Sequence, residues 1–187
     1  MSRGLGDVYK RQINELRPLG RTARGVKSMN LREGDNLVSM DVLTSNLVDQ
    51  LAQVEDLTED PDDNIEENSS DGPWVLIASA FGLGKRVPVA QFRLQKRAGM
   101  GLRAIKFRIK DDQLVCLKVL GEGEELLLVT EKGVIVRTNA DKISQQSRAA
   151  TGVKLQRLDD GDHLSEVVLV PREQIEGKDH PSSVEQN

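Results

Sequence analysis

The sequence predicts an all-β protein of propeller-like, four-stranded blades, about two and a half of them. Three observations lead there. One frame of apolar, arginine, glycine and aliphatic positions occurs three times in the 187 residues. Short runs of β-forming residues lie between these copies, each bounded by a turn signal. The second and third copies stand 51 residues apart, and four strands per roughly 40–50 residues is the mark of radial repeats.

The frame reads "LRPLGRTARGVKSMNL" from Leu16, "FRLQKRAGMGLRAIKF" from Phe92 and "ISQQSRAATGVKLQRL" from Ile143. An apolar residue (Leu16, Phe92, Ile143) is followed at constant spacing by an arginine (Arg21, Arg97, Arg148) and a glycine (Gly25, Gly101, Gly152). An aliphatic (Val26, Leu102, Val153) and a further apolar residue (Leu31, Phe107, Leu158) complete it. The three glycines are expected to supply turns with positive φ.

In chain order, residues 1–15 read as a leader outside the repeat and without structure, the first twelve of them non-native. Residues 16–50 form a half blade, with the glycine turn and two following strands. Residues 51–73 are an acidic, disordered insert, since Glu55 to Asp71 holds nine acids and no base and few apolar residues. Residues 74–122 form a full blade with strands at Val75–Ser79, Lys85–Val89, Leu102–Ile109 and Leu114–Leu120. Residues 123–171 form a second, with strands at Leu126–Thr130, Val134–Thr138, Val153–Leu158 and Ser165–Val170. Residues 172–187 are a disordered tail. Two blades and a half look like part of a larger wheel.

The formal net charge of -4 averages two opposed regions. From Pro73 to Lys110 there are nine bases and no acid: Lys85, Arg86, Arg93, Lys96, Arg97, Arg103, Lys106, Arg108 and Lys110. A polyanion would meet that local surface, whatever the bulk charge. In "LRAIKFRIK" the apolar Ile105, Phe107 and Ile109 alternate with Lys106, Arg108 and Lys110. On a strand the cations would share one outer face and track a phosphate backbone without reading bases. Arg21, Arg24, Lys27, Arg137, Arg148 and Lys154 extend the candidate set. A cationic face that only keeps a protein-interaction scaffold in solution is the alternative. The acidic insert could compete with DNA for the basic surface.

Other chemistry finds little support. Aromatics make up 3% of the chain, which limits base stacking. "GMGLRA" opens an alternating strand where a dinucleotide site needs a helix, and "GLGKR" lacks the first glycine and the hydroxyl of a phosphate-binding loop. His163 and His180 have no Cys or His partner at ligand spacing, so no metal site is expected. No pair of carboxylates is placed across a pocket, and no catalytic residue is assigned. Cys116, the single cysteine, suits a small core position and a reducing compartment, with the cytoplasm the default. No run is long and apolar enough to span a bilayer.

The repeats taken together, "RPLGRTARGVKSMNLREGDNLVSMDVL", "FGLGKRVPVAQF", "QKRAGMGLRAIKF" and "LVTEKGVIVRT…SRAATGVKLQRL", resemble the C-terminal β-pinwheel domains of DNA gyrase A subunits and their topoisomerase IV relatives. The resemblance runs from about Leu16 to Val170. It implies a β-pinwheel whose basic rim wraps duplex DNA, in gyrase so that ATP hydrolysis drives negative supercoiling. In topoisomerase IV it would select DNA geometry instead. It implies as partners the remainder of the gyrase A protein and the gyrase B protein, in an A2B2 assembly. ATP and magnesium would be handled by other parts of the enzyme, and no cofactor by this segment. The family's hallmark heptapeptide is matched in part by Gln95, Lys96, Arg97, Gly99 and Gly101, while Ala98 and Met100 depart from it. A box-like turn of this kind, in a later blade, is not expected to close the wheel. The family's cleaving tyrosine lies in an upstream domain, and Tyr9 is not its counterpart.

Overall fold

A computed structural model describes residues 6–49, 72–95 and 98–170. The described strands are β1 (Asp7–Val8), β2 (Trp74–Ser79), β3 (Leu83–Pro88), β4 (Leu102–Arg103), β5 (Leu114–Leu120), β6 (Glu125–Thr130), β7 (Ile135–Asn139), β8 (Val153–Lys154) and β9 (Leu164–Val170). Six of the eight strands expected in the two full units form within two residues of their predicted bounds. The third run of each full unit shrinks to two residues, β4 and β8. Beyond Arg103 the chain leaves regular strand geometry, so Lys106, Arg108 and Lys110 project from an irregular run and not from a ladder strand.

The blades do not close as four consecutive runs. One antiparallel sheet has the order β5-β2-β3-β8, a second the order β7-β6-β9, and a third pairs β1 with β4. Each unit's third run therefore completes the sheet of the unit before it. Leu83 and Gly84 pair with Lys154 and Val153, while Asp7 and Val8 pair with Arg103 and Leu102. The exchange follows from what succeeds the second strand. A single 3-10 turn (Val89–Gln91, Ala140–Lys142) and the glycine turn carry the chain onto its neighbour. Gly152 then lies so close to Gly84 that a Cβ would come within 2.7 Å of the Gly84 carbonyl oxygen. Only glycine permits that approach.

The leader is part of this scheme from Gly6 onward, which corrects the expectation of an unstructured segment there. Gly6 (φ +58°) takes the place of Gly82 (φ +74°), and its carbonyl accepts from Ala104 N at 2.9 Å as that of Gly82 accepts from Leu155 N at 2.8 Å. Gln95 N donates to the Lys10 carbonyl at 3.0 Å, as Gln146 N does to Arg86 at 2.9 Å. A 3-10 turn, Ile13–Glu15, follows at the same interval as in the other units.

The half blade departs from expectation in the other direction. No strand forms over 16–49, and Leu31, Leu37, Val38, Met40 and Val42 are exposed. A strand needs a ladder of backbone hydrogen bonds, and none of the described strands pairs with this run in that way. It is held instead at points. Asn30 N donates to Gly99 O (2.9 Å) and Val119 N to Asp41 Oδ2 (2.9 Å), and residues 45–49 form a helical turn. The acidic insert, apart from Gly72 and Pro73, and the tail lie outside the described residues.

β2 is buried along its whole length because it is covered on both faces. Trp74, Leu76 and Ala78 pack with Cys116 of the adjacent β5 and with Leu126, Leu128 and Val167 of the following sheet. Val75 and Ile77, pointing the other way, pack with Val8, Phe92 and Ile105. Alternating side chains thus serve two cores, the arrangement expected of blades stacked face to face. Cys116 is a core residue, and burial pushes its thiol up to about 11.

Candidate nucleic-acid interface

The repeated turn is built alike in both full units. Gly101 and Gly152 adopt φ of +85° and +94°, and Gly25 +80°, as their positions required. The amide of Gly101 donates to Gln95 Oε1 (3.3 Å) and that of Gly152 to Gln146 Oε1 (3.0 Å). Gln95 in the box-like turn is thus an internal brace, with Gly99 accepting from Asn30. Lys96 and Arg97 lie outside the described residues.

Several of the predicted DNA-binding cations are engaged by the protein itself, Lys85, Arg86 and Arg137 first among them. Lys85 is fully buried, and its ammonium donates to the carbonyls of Ser147 (2.6 Å), Arg148 (2.8 Å) and Ala150 (2.7 Å). Burial and then the nearby Arg148 guanidinium bring its pKa down to about 8. Arg86 donates from Nε to Ile143 O (3.0 Å) and from Nη1 to Asp141 Oδ1 (2.9 Å), and stacks 4.8 Å over the Trp74 ring. Its side chain is 11% exposed. Arg137, the counterpart of Arg86, pairs with Glu125 at the surface. Lys85 and Arg86 are therefore withdrawn from the surface set. β3 is an interior strand flanked by β2 and β8, and the segment from Ile143 to Ala150 takes up both side chains.

The outward set centres on the run after Gly101, with Arg93 just before the turn. Arg93, Arg103, Lys106, Arg108 and Lys110 are all exposed, and so are Lys154, Arg21, Arg24 and Lys27. Two links fix this run to the next unit's turn. Arg148 Nη1 donates to Arg103 O (3.3 Å), and Lys106 N donates to Ala150 O (3.2 Å). Arg148 itself is half-buried with its guanidinium 6.0 Å over the Phe92 ring. It braces neighbouring units while leaving part of its charge at the surface.

The family model for the DNA gyrase C-terminal domain, a beta-propeller, matches residues 8–44, 73–115 and 124–171, well over half of the chain. The chain belongs to the DNA gyrase C-terminal domain family. It is 50% identical over 175 residues to the DNA gyrase A protein of Synechocystis sp., covering 90% of this chain and 20% of that protein. It is 38% identical over 158 residues to the gyrase A protein of Staphylococcus epidermidis, covering 84% of this chain and 15% of that one. A solved gyrase A C-terminal domain superposes with a TM-score of 0.64 at 28% identity, covering 87% of this chain and 46% of the other. The chain thus spans about a fifth or less of the curated relatives it matches.

The family frame also exposes an omission. Arg157 is exposed and stands 51 residues after Lys106, at the same repeat position. The repeat offset is the signal that finds it. Among the described residues no cluster of three or more His, Cys, Asp or Glu is placed to hold a metal. None of the described helices is long and apolar enough to cross a membrane.

Proposed function

We propose that this chain binds duplex DNA without sequence preference and, as the C-terminal part of a gyrase A protein, wraps it. The observation that carries the reading is the exposed group Arg93, Arg103, Lys106, Arg108 and Lys110, drawn from a segment with no acid between Pro73 and Lys110. Side chains of this kind meet phosphates and carry no base information. Bending a 20–30 bp segment by 40–90° costs roughly 1–6 kcal/mol, which phosphate contacts with counterion release can offset. In the whole enzyme this wrapping supports ATP-dependent negative supercoiling together with the gyrase B protein in an A2B2 assembly. ATP and magnesium act in other parts, this segment needs no cofactor, and the setting is the cytoplasm.

Filter binding across salt tests the reading. Five engaged cations give a slope of log K against log salt of roughly -4 to -5. The triple change Lys106→Gln, Arg108→Gln, Lys110→Gln should reduce the slope to about -2 and weaken binding on the order of a hundredfold near 0.1 M salt. A flat salt response in the native chain, or an unaltered slope in the triple variant, would remove the proposal.

A further inference from the structure

The Lys85 ammonium sits at a junction that the surface cations depend on. It is fully buried, on a strand whose neighbour across the register is the apolar Ile77. Its three donors meet three carbonyls of one turn, Ser147, Arg148 and Ala150, all within 2.8 Å. An ammonium has three N–H groups and no acceptor, so every donor is used. The Ala150 carbonyl accepts from Lys106 N as well, at 3.2 Å. Arg148, on the same turn, reaches Arg103 O. One buried charge thereby fixes a turn that grips the surface run at both Arg103 and Lys106.

We infer that Lys85 is a positioning residue for the DNA-binding surface: its ammonium latches the Ser147–Ala150 turn and so sets the placement of Arg103, Lys106 and Arg148 without touching DNA. This rests on the DNA-binding reading above. Its chemistry separates it from a phosphate contact. A neutral amine keeps two N–H groups for three carbonyls and turns a lone pair toward the third. The charged group facing the ammonium is the Arg148 guanidinium, and with burial it places the loss of the proton near pH 8. The latch therefore loosens as pH rises through that value. Protonation linkage alone acts on global stability in the opposite sense. A lysine whose pKa falls on folding makes the fold more stable as pH climbs from about 8 toward its ordinary 10.5. Weakened DNA binding with an unweakened fold is a combination that a merely structural lysine would not give.

The test compares the native chain with Lys85→Met and Lys85→Gln, using a short duplex at fixed salt from pH 7 to pH 10. The native chain should lose on the order of tenfold in affinity across the range, while its thermal midpoint does not fall in step. Lys85→Met should bind on the order of tenfold more weakly at pH 7 and converge on the native value by pH 10. Amide exchange should speed up at 146–152 in the variant and stay unchanged in β2 and β6. A native-to-variant ratio constant across pH overturns the positioning role, as does unchanged affinity at pH 7 with a loosened turn. The native pH profile stands without any substitution if both variants fail to fold. Failure of the native chain to bind any duplex overturns the DNA-binding reading, and amide exchange still reports whether the latch exists.

Discussion

The sheets of the two full units share one frame and differ in what lies against their second strands. β3 is covered by β8, and its Lys85 and Arg86 reach across to fasten the following unit. β7 stands at the edge of its sheet among the described residues, with Val136 where β3 has Lys85 and Arg137 where it has Arg86. Ile135 is 60% exposed there. The same arginine position is thus an interior clamp in one unit and a surface ion pair in the other. Residue type and repeat position do not decide whether a cation faces solvent. What packs against the strand decides it.

The largest effect that comparison predicts lies at the glycines. Gly152→Ala puts a Cβ within 2.7–3.1 Å of the Gly84 backbone at a φ of +94°, whereas Gly133→Ala, at a φ of +84°, meets nothing within 4 Å. The first should cost about 3 kcal/mol or more, and undock β8 from β3. The second should cost about 1–2 kcal/mol, the conformational penalty alone. Chemical denaturation of both variants measures the gap. Equal costs would mean that close approach is not what selects glycine at the exchange.

A smaller contrast separates the arginines. Arg86→Gln removes hydrogen bonds to Ile143 O and Asp141 and a ring contact with Trp74, and should cost about 1–2 kcal/mol. Arg137→Gln, whose partner is the partly exposed Glu125, should cost less than about 1 kcal/mol. Neither should change the salt slope of DNA binding by a full phosphate contact. A loss of about 0.9 in slope for Arg86→Gln would return that residue to the DNA surface.

Much of this is legible in the sequence, and the gaps have physical causes. The long strands β2, β5, β6 and β9 announce themselves because each is a run rich in apolar β-formers, buried continuously in β2 and alternately in β6. The exchange of β4 and β8 leaves no local signal. A run such as Gly152-Val153-Lys154 has the same β character whichever sheet receives it, and only the neighbour's backbone decides. Lys85 reads as a surface cation because it belongs to the basic, acid-free run from Pro73 to Lys110. The strand lies between units, and its outer face becomes an inner one. Lys106, Arg108 and Lys110 read as outward and do face solvent, because they follow a glycine turn onto a run that no described strand covers.

The smallest expected effect concerns the outer corner that both units share. In the second unit Asp162 Oδ1 accepts from Lys132 N (3.1 Å) and His163 N (2.9 Å). Burial pushes its carboxyl up, but the Thr130 hydroxyl, those two amides and the Lys132 charge outweigh it and hold the pKa below its ordinary value. In the first unit Asp112 Oδ1 accepts from Phe81 N (3.1 Å) and Gln113 N (2.9 Å) in the same way. The counterpart of Thr130 there is Ser79, whose Oγ is buried without a partner, as is Asp112 Oδ2. Threonine's branched Cβ restricts its χ1, and its extra methyl already fits the equivalent corner. Ser79→Thr should therefore aim the hydroxyl at Asp112 and stabilise the fold by about 0.5–1 kcal/mol. The sign with pH follows from Asp162. A carboxyl held low in the folded state contributes above the ordinary value of 3.8 and loses that contribution as pH falls through its own lower pKa. Thr130→Val, which removes that hydroxyl, should therefore cost stability at neutral pH and cost less once pH has fallen through that lower value. A cost that does not fall in acid would mean that the Val134 amide, which donates to the same hydroxyl at 3.2 Å, and not the carboxylate accounts for it.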